Sequence, residues 1–340
     1  MPQTRPLTLQ STTPAAWVGH LLALGWVMMW APNFAILRSL ELQHHVSPMA
    51  VVVLRFAIGV PIVFALWLFK RPDFSRLSRR GWLIVLVMFA VVGPIYHIIL
   101  VRSVEHVQAG LTCVLMATMP VHVGWIGVWI LGERFGWKSA AALAIALTGV
   151  ILPVLFEQSI SIENFTWDHV VGHDRSFKGL IFPLLVALNA VIAALNNVLV
   201  RYLRHQTSAW DLVCGQIVLT LPVTLLAAFA MRVDLIDQWS HLNTWGWVKA
   251  IYIGTISMHL MIWMIYRALQ IISALATAFY TFLMMAFGWV WGWLMLDERM
   301  YPVHGFAMAL VALGLLFNTW DSMRRAPSPD RPDPHSDSPT

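Results

Sequence analysis

Residues 102–150, RSVEHVQAGLTCVLMATMPVHVGWIGVWILGERFGWKSAAALAIALTGV, align without a gap on residues 267–315, RALQIISALATAFYTFLMMAFGWVWGWLMLDERMYPVHGFAMALVALGL. Arg102 meets Arg267, Ala109 meets Ala274, Thr112 meets Thr277 and Met119 meets Met284. Gly127 falls on Gly292, Leu131 on Leu296, and the pair Glu133-Arg134 on Glu298-Arg299. Ala142 falls on Ala307, Ala144 on Ala309 and Gly149 on Gly314. Apolar sequence matches itself often by chance, but aligned charges and glycines are harder to obtain that way. Near the start of each half, Asn33 and Arg38 match Asn196 and Arg201 at the same spacing. The chain reads as two copies of one unit.

Outward from the repeat, the composition says what each unit is made of. Of 340 residues, 59% are hydrophobic and 11% charged, with a mean hydropathy of +0.69. A soluble domain is about 45–50% apolar and about 25% charged, so this excess is too large for a soluble core. A helix needs about 20 apolar residues to cross about 30 Å of hydrocarbon. Ten such stretches are predicted, at about 17–37, 48–69, 82–101, 107–131, 139–156, 179–200, 212–231, 247–266, 273–296 and 303–320. Lipid leaves no partner for open backbone groups, and the stretches are too long and uniformly apolar for barrel strands, so helices are expected. The expected fold is thus an all-α integral membrane protein of ten transmembrane helices. Each unit holds an odd number of spans, so the second copy enters the membrane inverted, a plan recurrent among secondary transporters. The parts are a tail at 1–16, repeats at 17–156 and 179–320, a loop at 157–178, and a tail at 321–340.

With the N-terminus cytoplasmic, Arg5, Lys70, Arg71, Arg76, Arg79, Arg80, Arg134, Lys138, Arg201, Arg204, Arg267, Arg324, Arg325 and Arg331 fall inside. Arg38, Arg102, Arg175, Lys178, Arg232, Lys249 and Arg299 fall outside, an asymmetry that favours both termini in the cytoplasm of an inner membrane. The formal charge of +5 resides in short loops beside spans, a topology signal and not a nucleic-acid footprint. Trp17, Trp67, Trp82, Trp137, Trp247 and Trp320 fall near span ends, where indole favours the membrane–water boundary. Cys113 and Cys214 lie in apolar stretches and read as small buried hydrophobes. Residues 1–16 carry only Arg5 and no compact apolar core, so a retained first span is expected rather than a cleaved signal. The Pro-, Ser- and Asp-rich tail from Arg324 onward is expected to be disordered.

The sequence resembles the EamA family of the drug/metabolite transporter superfamily. The resemblance is carried by Trp30 and Asn33, by Pro48 and Leu54-Arg55-Phe56, and by Pro120 followed by Leu131-Gly132-Glu133-Arg134. In the second half it is carried by Asn196 and Leu296-Asp297-Glu298-Arg299, with Gly149 and Gly314 matching the glycine late in each unit. It covers about residues 17–320 and implies ten helices in two inverted repeats, cytoplasmic termini, and export of amino acids or other small metabolites. Asp297 departs from Gly132 of the first repeat, Met285 stands where that repeat has Pro120, and the 157–178 loop is long.

Polar groups at membrane depth need a partner or a wet cavity. On that ground Asn33, Arg55, Tyr96, His97, Asn196, Gln216, His259, Tyr266 and Tyr280 are substrate-site candidates, with Trp30 as an aromatic wall. Arg55 is either a two-pronged anchor for a substrate carboxylate or a snorkelling, helix-pairing arginine. His97, His122 and His259 are either proton carriers or neutral helix-to-helix donors. Asn33, Asn196 and Asn197 serve equally as interhelical glue. No Asp or Glu falls mid-span, so a carboxylate proton relay is not apparent. Pro120, Glu133, Arg134, Glu298 and Arg299 are gating or structural candidates, the alternative being hydrated turns. His169, His173, Asp168 and Asp174 read as a solvated loop and not a metal site. No Walker-type phosphate cradle is present, and no cofactor is expected. The expected partners are a small-molecule substrate and membrane lipids. The leading expectation is a secondary exporter of small metabolites such as amino acids. The alternatives are a drug or nucleotide-sugar carrier and, in a different class, a membrane enzyme or receptor.

Overall fold

Pro32 and Pro94 mark two of the places where the long apolar runs become irregular, while Pro61, Pro183 and Pro222 lie inside continuous helices. In the computed structural model, which describes residues 16–104, 115–116, 118–133, 136–156, 177–296 and 302–325, every regular element among the described residues is helical. Helix α1 spans Ala16–Trp30 and α2 Pro32–His44, so the first predicted span is split. Pro32 has no amide hydrogen to continue the ladder. The Met29 and Trp30 carbonyls at the break accept the Asn33 side-chain amide at 3.2 and 2.9 Å, and the Tyr252 hydroxyl donates to Met29 at 3.0 Å.

Helix α3 runs Pro48–Trp67, capped by Ser47. Helix α4, Arg79–Leu86, passes through a π segment at Val87–Val92 into α5, Gly93–Val104. Pro94 cannot donate in the widened register, and the Phe89 carbonyl five residues earlier accepts the Thr220 hydroxyl at 2.9 Å. Helices α6 (Met119–Leu131) and α7 (Trp137–Phe156) complete the first half. The second half comprises α8 (Phe177–Tyr202), α9 (Ala209–Ala230), the short α10 (Leu235–Ser240) and α11 (Thr244–Gly254). A second π segment, Ile256–Met261, leads into α12 (Ile262–Ile271), followed by α13 (Ala274–Phe279), α14 (Thr281–Leu296) and α15 (Pro302–Arg325).

Five of the helical runs are long and apolar enough to cross a membrane: Met49–Trp67, Arg79–Ile99, Ile181–His205, Ala209–Ala230 and Thr244–Ile271. Ala16–Trp30, Met119–Leu131, Ala274–Gly288 and Gly305–Asn318 are shorter apolar helices. The protein is a multi-pass membrane protein. The ninth predicted span also bends, at Tyr280, where successive 3₁₀-type bonds (Tyr280 to Thr277, Leu283 to Tyr280) separate α13 from α14.

Hydrogen bonds between loops sort the chain into two ends. At one end Ser47 donates to Gln238 at 2.7 Å, Trp239 to the Ala50 carbonyl at 3.2 Å, and Lys249 to Ser39 and Gln43. At the other, Asp73 donates its amide to Asp211 at 3.1 Å and Trp210 its indole to the Lys70 carbonyl at 3.1 Å. Lys70, Arg71, Arg76, Arg79, Arg80, Arg201, Arg204 and Arg267 belong to this second end.

Small residues set a close helix crossing between α7 and α15. A Cβ on Gly149 would lie 2.8 Å from the Ala307 carbonyl oxygen, and a Cβ on Gly314 would lie 2.8 Å from the Ala142 carbonyl oxygen. Gly149 thus sits over Ala307 while Ala142 sits under Gly314, so the two helices run antiparallel. Backbone approach this close is available only without side chains.

Candidate functional site

The cavity of interest lies where the irregular segments of both halves meet, between α1, α3, α8, α9 and the two π segments. It has a volume of about 150 Å³. Trp26 and Trp30 line it from α1, Arg55 from α3, Met88 and Phe89 from the first π segment, and Tyr96 and His97 from α5. Asn196 and Asn197 enter from α8, Gln216 from α9, Met258 from the second π segment and Tyr266 from α12. Apart from Thr281 the remaining walls are apolar and rich in methionine, with Met116, Met119 and Met284 beside Met88 and Met258. Thioethers are flexible and polarizable, which suits a surface that must fit more than one shape.

Among the described residues, Arg55 is the one Lys or Arg in this lining, and it is 4% exposed. One guanidinium nitrogen lies 3.5 Å from the Ser257 hydroxyl and 3.3 Å from the Met258 sulfur, and Nε is buried without a hydrogen-bond partner. The guanidinium carbon sits 5.5 Å from the centroid of the Trp30 ring. Among the described residues, no Asp or Glu lines the cavity. A buried charge without a counter-charge carries a penalty of several kcal/mol, so Arg55 is held in a state that an incoming anion would relieve. Its position is fixed from behind. Ser257 donates to the Asn33 side chain at 2.9 Å, and a Cβ on Gly254 would lie 2.7 Å from the Ile58 Cβ, so α11 packs directly on α3.

Of the residues singled out by sequence, Trp30, Arg55, Tyr96, His97, Asn196, Gln216 and Tyr266 line the cavity together. Tyr266 donates to Gln216 through a short hydrogen bond, and the His97 ring stands edge-on to Phe56 with centroids 5.3 Å apart. Asn33 stands behind Arg55, as described. His259 bridges helices, bonding the Thr255 carbonyl at 3.0 Å and the Gly59 carbonyl at 3.1 Å. Tyr280 bonds His20 across α1 and α13, 3.1 Å apart, at the bend between α13 and α14. His122 faces outward, accepting from the exposed Trp125 at 3.2 Å.

Among the gating candidates, Pro120 lies buried in the first turn of α6. Glu133 accepts from the Ala274 amide at 3.1 Å and lies 3.6 Å from Arg201, which itself donates to the Leu269 carbonyl at 2.8 Å. It therefore ties α6 of the first half to α8 and α13 of the second. Arg134, Glu298 and Arg299 lie outside the described residues, as do His169, His173, Asp168 and Asp174.

Sequence reading missed Pro32, both π segments and the methionine lining. Pro32 was in plain view, inside a run whose uniform hydrophobicity hides the break. Asn189 is a different case. It is wholly buried in α8, one turn from the cavity-lining Ala193, and neither atom of its amide has a partner.

Residues 17–155 and 180–320 match the EamA-like transporter family. An uncharacterized transporter of Synechocystis sp. is 23% identical over 283 residues, covering 79% of this chain and 78% of its own. An S-adenosylmethionine/S-adenosylhomocysteine transporter of Chlamydia muridarum is 22% identical over 300 residues, covering 84% and 86%. The uncharacterized transporter YoaV of Bacillus subtilis is 22% identical over 287 residues, covering 83% and 90%. One crystal structure superposes with a TM-score of 0.69 at 15% identity, over 90% of this chain and 98% of its own, and so shares the fold.

Proposed function

The chain belongs to the EamA-like transporter family, and on that premise we propose that it exports small carboxylate-bearing metabolites, amino acids among them, by alternating access around the Arg55 cavity. The observation that carries this reading is the buried Arg55 guanidinium, with an unpartnered Nε, in a lining that holds no carboxylate among the described residues. A guanidinium presents paired N–H donors that match a carboxylate. The methionines and aromatic rings then receive the rest of the molecule, and Asn196, Asn197, Gln216 and Tyr266 offer amide and hydroxyl groups for an amino function.

Alternating access needs two related conformations, which inverted repeats supply. Support for two inverted five-helix units within ten spans comes from the α7–α15 crossing. The contact of Gly149 with Ala307 becomes, under the repeat offset, the contact of Gly314 with Ala142. That is a two-fold relation between antiparallel copies. The two π segments fall at similar positions in the two units and both border the cavity. In this reading Glu133, with Arg201 and the Ala274 amide, closes the basic end, and that end faces the cytoplasm because short basic loops stay inside. His97, alone of the three span histidines considered, lines the cavity.

The experiment is a thermal-shift titration of the purified protein with amino acids and with their uncharged amides, on wild type and Arg55→Met. S-adenosylmethionine and S-adenosylhomocysteine belong in the panel because of the Chlamydia relative. A carboxylate that stabilises wild type, while its amide and the variant give no shift, supports the anchor. An amide that binds as well as its acid would sink it and favour a drug or nucleotide-sugar carrier.

A further inference from the structure

The basic end carries an array of charge that the transport reading leaves unused. Lys70, Arg71 and Arg76 lie between α3 and α4, Arg79 and Arg80 open α4, and all five are exposed. Their loop is not free to move away from the bundle. Its backbone is pinned to the turn between α8 and α9 and to the first turn of α9 at three points: Asp73 to Asp211, Ser78 to Gln206, and Lys70 to Trp210. The Ser78 amide and hydroxyl both donate to Gln206, at 3.1 and 2.8 Å. This docking brings the exposed Arg204 to the same surface.

The carboxylates in these two segments do not neutralise the array. Asp211 is 4% exposed, caps α9 in a reciprocal box with Ser208, and accepts the Asp73 amide. Asp73 accepts from the Ser75 amide at 2.9 Å, and hydrogen bonds from Ser75 lower its pKa, with a smaller contribution from the Arg76 charge. Among the described residues, no salt bridge engages Lys70, Arg71, Arg76, Arg79, Arg80 or Arg204. Two of the arginines are also placed against the helix field. Arg79 and Arg80 are the first two residues of α4, whose first turn holds no acid. The positive end of the helix dipole disfavours cations there and favours an anion.

The depth of the array is set by its neighbours. Leu68 and Phe69, immediately before Lys70, are 85% and 88% exposed, and Trp82 on α4 is half exposed. Apolar side chains and indole in such positions belong at the acyl–headgroup boundary, which puts the adjacent cations at phosphate level.

We propose that the surface formed by Lys70, Arg71, Arg76, Arg79, Arg80 and Arg204 is a binding site for the phosphate headgroup of an acidic phospholipid. The pinned loop supplies a preformed array, the headgroup-proximal part of the acyl chains lies along Leu68 and Phe69, and the start of α4 faces the phosphate. The site depends on the membrane placement of the chain and is independent of what the cavity carries.

The test uses the full chain, purified in detergent, with native mass spectrometry to count retained cardiolipin, phosphatidylglycerol and phosphatidylcholine. Two charge-matched variants are compared: Arg79→Gln/Arg80→Gln and Arg324→Gln/Arg325→Gln. Near a surface each basic residue contributes about fivefold to acidic-lipid affinity, so the first variant should lose about 25-fold in cardiolipin or phosphatidylglycerol affinity. The second variant and the phosphatidylcholine signal should stay unchanged. Equal loss in both variants, or no loss in either, overturns the site, since charge alone would then explain retention. Gln206→Ala keeps every charge and removes the Ser78 pin, one of the three, and should also weaken acidic-lipid retention. If the double arginine variant does not fold, undiminished retention in Gln206→Ala overturns the preformed array. Inorganic phosphate that competes at millimolar concentration as well as the lipid does would overturn the assignment to a lipid.

Discussion

Replacing Gly314 with alanine places a methyl carbon 2.8 Å from the Ala142 carbonyl oxygen and 2.9 Å from the Ala146 Cβ. Ordinary contact begins near 3.4 Å, so α7 and α15 must part by about 0.6 Å at the crossing. Overpacking of this kind destabilises by about 1–3 kcal/mol. Alanine is also the better helix former, by about 1 kcal/mol, and this gain masks part of the steric loss. Gly305, on the same helix, provides the correction, because a Cβ there meets nothing within 4 Å. The difference between Gly314→Ala and Gly305→Ala therefore isolates the steric effect, about 1–3 kcal/mol. Gly149→Ala should match Gly314→Ala, since its Cβ would lie 2.8 Å from the equivalent carbonyl. One parting of the helices relieves both clashes, so the double variant should fall short of additivity by at least about 0.5 kcal/mol. The assay is thermal unfolding in one detergent at one scan rate. Gly149 and Gly314 variants that behave like Gly305→Ala, or a strictly additive double variant, would refute the two-fold crossing.

Three further outcomes follow from single groups. Thr220→Val leaves the buried Phe89 carbonyl without its partner and should lower stability by about 1–3 kcal/mol in the same assay; an unchanged melting temperature contradicts the reading of the π segment. Asn189→Leu removes a wholly buried amide with no partner and should raise stability by about 1–2 kcal/mol, and a fall would mean that the amide is satisfied in the membrane. Glu133→Ala unties α6 from α8 and α13, so a cysteine at Met119, in a background lacking Cys113 and Cys214, should label severalfold faster from the basic end. Equal labelling rates would remove Glu133 from the gate.

The residues at which the sequence was most legible are those where chemistry conflicts with lipid. Arg55, Gln216 and Asn196 stood out because polarity at membrane depth demands a reason, and the cavity supplies it. The same rule also picked out Asn33, His259 and Tyr280, since a neighbouring helix satisfies a polar group as well as a substrate does. Gly149 and Gly314 were legible as a repeat, but their contact with each other's helix required three dimensions. The π segment at Val87–Val92 left Pro94 as its trace, but that at Ile256–Met261 left little, because a helix that is apolar all round carries no periodicity that a widened turn could disturb. Met88, Met116, Met119, Met258 and Met284 were invisible for a related reason. Methionine is ordinary in any apolar span, and only convergence from separate helices makes it a lining.

The central claim is that this chain carries a carboxylate across the membrane by way of Arg55. The direct measurement is counterflow in proteoliposomes: vesicles loaded with an unlabelled amino acid or metabolite, labelled solute outside, with wild type, Arg55→Lys and Arg55→Ala compared at equal reconstitution. Saturable counterflow of a carboxylate-bearing solute by wild type, reduced in Arg55→Lys and abolished in Arg55→Ala with the fold intact, is the predicted result. Counterflow undiminished in Arg55→Ala would contradict the account.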